Sequence, residues 1–273
     1  MAYKVLDILK DLPRTNCRDC GKGGCFAFAS VVYLEGFPLS ACPHLGPELL
    51  AAMEAKLEEG RSQGEGRRPE ASEQALRALL AKIQEVDFAE LARRSGARHV
   101  PGSTEAIEVP FLGAAHRVTR ADVTALEGEA PSVWVKIFIL IYLTRSAESP
   151  PSGEWAAYRE LPNTSSKSKT YERTVDRLAP AYEGRVDELE RVVLAMGGKP
   201  ASFGSAERAW VFSALPKVDL LLLFWDKQED FDARVSLLVD RKILDYLDQE
   251  AIVFLCEAFT NRLLGKGLAE IIP

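Results

Sequence analysis

Residues 209–239 read AWVFSALPKVDLLLLFWDKQEDFDARVSLLV, and this stretch decides the fold. Three runs in it, 209–213, 218–225 and 233–239, are rich in the β-branched and aromatic residues that suit a pleated surface. Pro216 separates the first two, and the acidic turn 226–232 separates the second from the third. Strands so close together pair antiparallel, because a parallel crossover needs a dozen or more residues. Working outward, helical patterns lie before and after these strands and not strictly between them. Residues 171–196 predict a helix broken near Pro180 and ended by Gly197 and Gly198. Residues 133–143, VWVKIFILIYL, predict a buried helix. Ile107, Val109 and Phe111 alternate with polar or small residues up to Gly113, and His116 and Val118 continue the alternation, which predicts a hairpin. Asp87 with Glu90 opens a helix that Gly96 stops, and Ser72 opens another with Leu76, Leu79, Leu80 and Ile83 on one face. Two helices close the chain, the last running from Asp248 to Gly265. The expected class is α+β: a small helical module, then a larger domain with an antiparallel sheet flanked by helices.

A length of 273 residues suits a small domain plus a medium one. Apolar residues make up 47% and charged residues 27%, an ordinary globular composition. With a net charge of -6 the chain offers no basic surface for general nucleic-acid binding. The most apolar run is interrupted by Lys136 and falls short of the roughly 20 residues of a spanning helix, so no membrane insertion is expected. The first twelve residues carry neither a long apolar core nor a small-residue cleavage site, which points to a cytoplasmic protein.

The first forty-two residues hold four of the five cysteines. Val5, Leu6, Ile8, Leu9 and Leu12 predict a helix that Pro13 stops. Cys17, Cys20, Cys25 and Cys42 then follow, the last as Cys42-Pro43. Four thiolates are the ligand count of a [4Fe-4S] cube, with the close trio wrapping one side and Cys42 returning to complete it. Gly21, Gly23 and Gly24 give the loop access to positive φ and close backbone approach. From Cys25 a helix runs to Gly36, so its positive end faces a negatively charged cluster, and Phe26 and Phe28 are expected to exclude water from part of it. The competing reading is a structural zinc site, which usually takes two CxxC pairs; here the second pair is missing. After Cys42, Pro43 and Pro47 launch another helix. Residues 58–72 lack Val, Leu, Ile and Met and hold Gly60, Gly64, Gly66 and Pro69, a linker composition. The expected organisation is a cluster module at 1–57, a linker at 58–72 and an α+β domain at 73–273.

The motif Leu12-Pro13-Arg14-Thr15-Asn16-Cys17, with Cys20-Gly21, Cys25-Phe26-Ala27-Phe28-Ala29, Gly36 and Cys42-Pro43, resembles the [4Fe-4S] module of the large subunit of the corrinoid iron-sulfur protein of acetyl-CoA metabolism. Related modules occur in a subunit of membrane-bound ferredoxin-oxidising complexes. The resemblance covers about the first fifty residues and implies low-potential, one-electron delivery in anaerobic metabolism. Nothing beyond residue 50 resembles that protein's barrel or its cobalamin-binding domain, so corrinoid binding does not carry over. Residues from about 88 to 264 instead resemble an uncharacterised domain family of anaerobic microbes, through 107–113, Trp155 with Arg159-Glu160-Leu161-Pro162, and 214–218.

The other candidates weigh less. Cys256 sits in an apolar helix and reads as core. His44 reads as a surface histidine, and His99 and His116 have no ligand partners at useful spacing. Asp226, Glu229, Asp230 and Asp232 read as a solvated turn. Arg159, Glu160 and Lys217 either line a pocket or clip a loop. No catalytic residue stands out, so the chain reads as an electron-transfer or accessory protein acting on a redox partner protein or protein-bound cofactor. Two alternatives stand: a redox enzyme subunit whose large domain binds a corrinoid or other cofactor, and a non-redox cluster sensor or carrier.

Overall fold

A computed structural model of the chain describes residues 3–35, 37–62 and 68–267. It divides into two compact units between Gln74 and Ala75. The first unit holds α1 (Val5–Asp11), α2 (Cys25–Glu35), a 3-10 turn (Leu39–Ala41) and α3 (Pro47–Ser62). Its core is small: Ile8, Leu12, Phe28, Ala29, Val32, Leu39, Cys42, Met53 and Leu57. Tyr3 and Lys56 both donate to the Asp11 carboxylate, at 2.7 and 2.9 Å, which ties α3 to the end of α1. Phe28 is buried but Phe26 is 58% exposed, against the expectation that both exclude water. Positions two apart on a helix point to different sides, so only one of the pair faces inward.

The segment 58–72 is helical at both ends, since α3 runs to Ser62 and α4 (Arg68–Ile83) begins before Ser72. Helix-forming Glu, Ala and Arg outweigh the scattered glycines there. Gly64 and Gly66 lie outside the described residues, as does Gly36.

In the second unit, α5 (Phe88–Ser95) starts where Asp87 accepts the amides of Ala89 and Glu90, at 2.8 and 3.3 Å, and stops at Gly96 with φ +71°. An antiparallel meander follows: β1 (Arg98–Val100), β2 (Ala106–Phe111), β3 (Ala114–Val118) and β4 (Val123–Ala125). Leu112 and Gly113, both at positive φ, make the two-residue turn between β2 and β3. A Cβ at Gly113 would stand 2.9 Å from the Met196 carbonyl, so no side chain fits. Next comes α6 (Val133–Arg145), buried as its sequence predicts.

The second sheet runs β5-β9-β8-β7-β6, antiparallel throughout, with β5 (Trp155–Ala157), β6 (Lys199–Ala201), β7 (Arg208–Leu215), β8 (Val218–Trp225) and β9 (Arg234–Asp240). The three strands of the deciding stretch are its centre. In β8, Leu220, Leu222 and Phe224 enter the main core, while Leu221 and Leu223 pack on the other face with Ala209. Burial on both faces explains a run without polar alternation. Each such side chain contributes roughly 1.5–3 kcal/mol relative to exposure.

The expected 171–196 helix is three: α7 (Ser168–Asp176), α8 (Leu178–Tyr182) and α9 (Val186–Ala195). Pro180 lies inside α8, not at a break. It occupies the first turn, where an amide has no partner within the helix to lose. Gly184 at φ +68° makes the second break. Of the two closing helices, the first is only a 3-10 turn (Ile243–Asp245), and α10 (Gln249–Leu263) is the second, capped by Asp248 through the Ala251 amide at 2.9 Å. Among the described residues no helix is long and apolar enough to cross a membrane.

Asp240, only 3% exposed, closes β9 by accepting the amides of Ser152, Gly153 and Lys242 at 3.1, 2.7 and 2.8 Å. Burial pushes its carboxyl up, but these amides and the Ser152 hydroxyl hold it below the ordinary range. A depressed folded value means its contribution is present at neutral pH and lost as pH falls below about 4 and through that value. Asp240→Asn is therefore expected to lower stability by about 2 kcal/mol at pH 7. Urea titrations at several pH values should show the gap from the parent shrinking in acid; a pH-independent gap would contradict the linkage.

Candidate metal centre

The cysteine loop begins where Leu12 closes α1 onto Ile8, its amide 3.1 Å from that carbonyl. From there the backbone alternates. Arg14, Asn16 and Arg18 have φ of 57°, 51° and 70°, and Gly21 follows at 74°, with ordinary φ between them. Left-handed residues at such short spacing turn the chain repeatedly, and the Gly21 amide closes one of these turns onto the Arg18 carbonyl at 2.8 Å. Left-handed backbone at a non-glycine residue costs on the order of 1–3 kcal/mol and is held in place by its surroundings. Glycine thus explains less of the loop than its sequence suggests. Gly21 alone of the three loop glycines takes positive φ.

Gly24 serves close approach instead. The Asn16 side chain reaches forward nine residues and its Oδ1 accepts the Cys25 amide at 2.8 Å, capping the start of α2. A Cβ on residue 24 would lie 2.8 Å from that same Oδ1. The loop's first half is thereby fastened to the helix that presents Cys25.

Of the four predicted ligands, Cys17 is exposed, Cys20 and Cys25 are partly buried against the module core, and Cys42 belongs to that core at 8% exposure. Phe37, not Phe26, joins Phe28 as the second aromatic wall, edge to face at 6.0 Å. Lys22 covers Phe37 with its ammonium 4.1 Å from the ring centre.

Near Cys17 stands a group the sequence did not reveal. Asp19 Oδ2 lies 2.7 Å from His44 Nε2. The histidine contact and then the Cys17 thiol hold the Asp19 carboxyl below its usual range. Ligand atoms of Cys17, Asp19 and His44 all lie within 4.8 Å of one another, the one such set of three among the described residues. No three of the four predicted cysteine ligands meet that limit together.

The remaining candidates assemble no comparable site. Cys256 is 1% exposed, donates to the Tyr171 carbonyl at 3.8 Å, and has its thiol pushed up by burial. His99 pairs with Glu105 at 2.9 Å, and His116 is buried beside the Ala114 carbonyl. In the acidic turn, Asp226 accepts the Gly184 amide at 2.9 Å. Lys217 clips a loop by donating to the carbonyls of Ala147 and Glu148, both at 2.9 Å. Glu160 faces Arg241 at 3.8 Å, whereas Arg159 lines a cleft.

Asn16 and Asp19 were the residues that sequence reasoning passed over as functional. A cap nine residues ahead of its helix escapes the local capping rules, and Asp19 meets His44 only through the returning chain.

A family model described as "Putative Fe-S cluster" matches residues 12–44, and that of the domain of unknown function DUF3786 matches residues 87–262. No curated protein and no solved structure matches the chain.

Proposed function

Since the chain belongs to the DUF3786 family and has an iron-sulfur segment fused ahead of that domain, we propose that Cys17, Cys20, Cys25 and Cys42 hold a [4Fe-4S] cluster used for low-potential, one-electron transfer. The observation that carries this reading is the loop itself: four thiolates in one module, on a backbone with repeated left-handed residues that ends at a helix N-terminus. When bound, such a cluster supplies a reversible one-electron couple. The chain's own residues set its surroundings. The start of α2 favours negative charge, and Arg14, Arg18 and Lys22 add positive charge along the loop. Phe28 and the core beneath it exclude water on the side of Cys42, while Cys17 stays open to solvent on the side an electron partner approaches.

In this reading the module (residues 1–57) works much as the resembling module of corrinoid iron-sulfur proteins does, and passes electrons to a partner protein or protein-bound cofactor in the cytoplasm of an anaerobe. Residues 58–72 join it to the domain at 73–273. A second reading has one specific support: Cys17, Asp19 and His44 lie close enough to share a single divalent ion.

Anaerobic purification with iron, sulfide and zinc analysis, followed by EPR of the dithionite-reduced protein, separates the two. About four irons and four sulfides per chain with a reduced-cluster signal are expected. Stoichiometric zinc without iron would sink the electron-transfer reading.

A further inference from the structure

The larger unit carries a cleft of about 430 Å³ beside α7 and β9, within the size range of small-molecule sites, ~300–1,000 Å³. One of its walls is unusual backbone. Arg241 donates its amide to the Glu154 carbonyl at 2.8 Å, and the register continues through Trp155↔Asp240, Ala156↔Val239 and Ala157↔Leu238. Hydrogen-bonded pairs alternate along an antiparallel ladder, so Val239, Leu237 and Val235 direct their main-chain groups to the β5 side. Strand β5 ends at Ala157, which leaves Leu237 and Val235 without a strand partner there. Tyr171 Oη fills part of the gap by donating to the Leu237 carbonyl at 3.3 Å. Among the described residues neither the N–H nor the C=O of Val235 has a partner on this edge, and Val235 lines the cleft.

Two charged side chains at the same cleft have no hydrogen-bond or ion-pair partner among the described residues. Arg234 makes no hydrogen bond or ion pair among the described residues; its guanidinium carbon lies over Trp225, 4.2 Å from the ring centre. The Trp225 indole is itself fixed by donating to the Ser205 carbonyl at 2.7 Å. Asp176 likewise has neither a hydrogen bond nor a salt bridge among the described residues. Partial desolvation, with the nearby Glu172 charge, holds its carboxyl above the ordinary range. At the rim, Arg159 meets Glu172 at 3.4 Å through one nitrogen and keeps further donors free.

We propose that this cleft binds a mononucleotide-sized ligand: a flat heterocycle with amide-type hydrogen-bonding groups, joined to an anionic end. Val235 pairs with the donor and acceptor of the ring edge. The ring's plane continues the Trp225–Arg234 stack, since guanidinium planes stack well on aromatic faces. Asp176 accepts from hydroxyl or amino donors, and Arg159 receives the anion. An extended peptide is disfavoured on the same edge, because Tyr171 already occupies Leu237 and one free residue is too little for a ladder. The inference is independent of the cluster reading.

The test is isothermal titration of the full chain with FMN, AMP and GMP, alongside riboflavin and inorganic phosphate. At least one mononucleotide should bind in the micromolar range and more tightly than riboflavin or phosphate. Arg234→Ala and Asp176→Asn, both exposed positions, should keep the parent melting temperature and weaken binding about tenfold or more, the first by removing a stacking partner of the ring and the second a charge-assisted hydrogen bond. Three results would overturn the proposal: no mononucleotide binding at millimolar concentration, equal affinity in both variants, or phosphate alone binding as tightly as the best nucleotide.

Discussion

Anaerobically prepared Cys25→Ser protein is expected to lose nearly all of its iron, against about four atoms per chain in the parent. The choice of residue matters. Cys25 stands outside the Cys17, Asp19 and His44 group, so a single ion held by those three would survive the change. Serine starts helices well and nearly matches cysteine in size, so α2 should persist and circular dichroism should be unchanged. The converse variant, Asp19→Asn with His44→Ala, should keep its iron and sulfide. Iron retained by Cys25→Ser but lost from the double variant would reverse the assignment and make the single-ion site the resident one.

Phe224→Ala should have the largest effect on the second unit. Phe224 is fully buried on the central strand β8, paired to Arg208 of β7 and Val235 of β9. Truncating a buried phenylalanine costs about 3–5 kcal/mol, a large share of the roughly 5–15 kcal/mol that holds a domain folded. The measurement is simple because all four tryptophans, Trp134, Trp155, Trp210 and Trp225, belong to this unit. Their fluorescence in urea therefore reports its unfolding alone. Iron content should not change, since the cysteines draw on a separate core. Phe231→Ala, at a residue 71% exposed, serves as the control and should shift stability by less than about 0.5 kcal/mol. Equal effects at the two positions would refute the account of β8 as the centre of the core.

The α+β class was legible because its decisive elements are long and apolar. Strands β7, β8 and β9 and helix α6 each carry a run long enough for composition and periodicity to speak. Strands β5 and β6 were not foreseen because three residues hold no period, and what makes them strands is the neighbour they lean on. Pro180 misled for a related reason: proline breaks a helix interior but not a first turn, and only the structure shows where the turn begins. At the metal centre, residue identity announced the thiolates, since nothing else in the chain clusters cysteine. The left-handed loop backbone was hidden, because Arg14 and Arg18 take positive φ through loop closure and not through any preference of their own, and Asn16 alone has such a preference. The cleft was hidden more deeply still. Asp176 and Arg234 lie far apart in sequence, and an unpaired backbone edge leaves no mark on composition.

The short outer strands have a consequence for solubility. A sheet's last strand offers free amides and carbonyls to any passing chain, the template on which aggregates grow. Strand β6 blunts that risk on one side: it is three residues long, begins with Lys199, and has at its centre Pro200, which has no amide to donate. On the other side β5 is equally short, and the protection of β9 beyond it falls to α7 and its Tyr171. The guard against self-association is therefore lopsided, built into sequence at one border and borrowed from a helix at the other. Loosening α7 would expose a stretch of β9 able to recruit a second copy of itself.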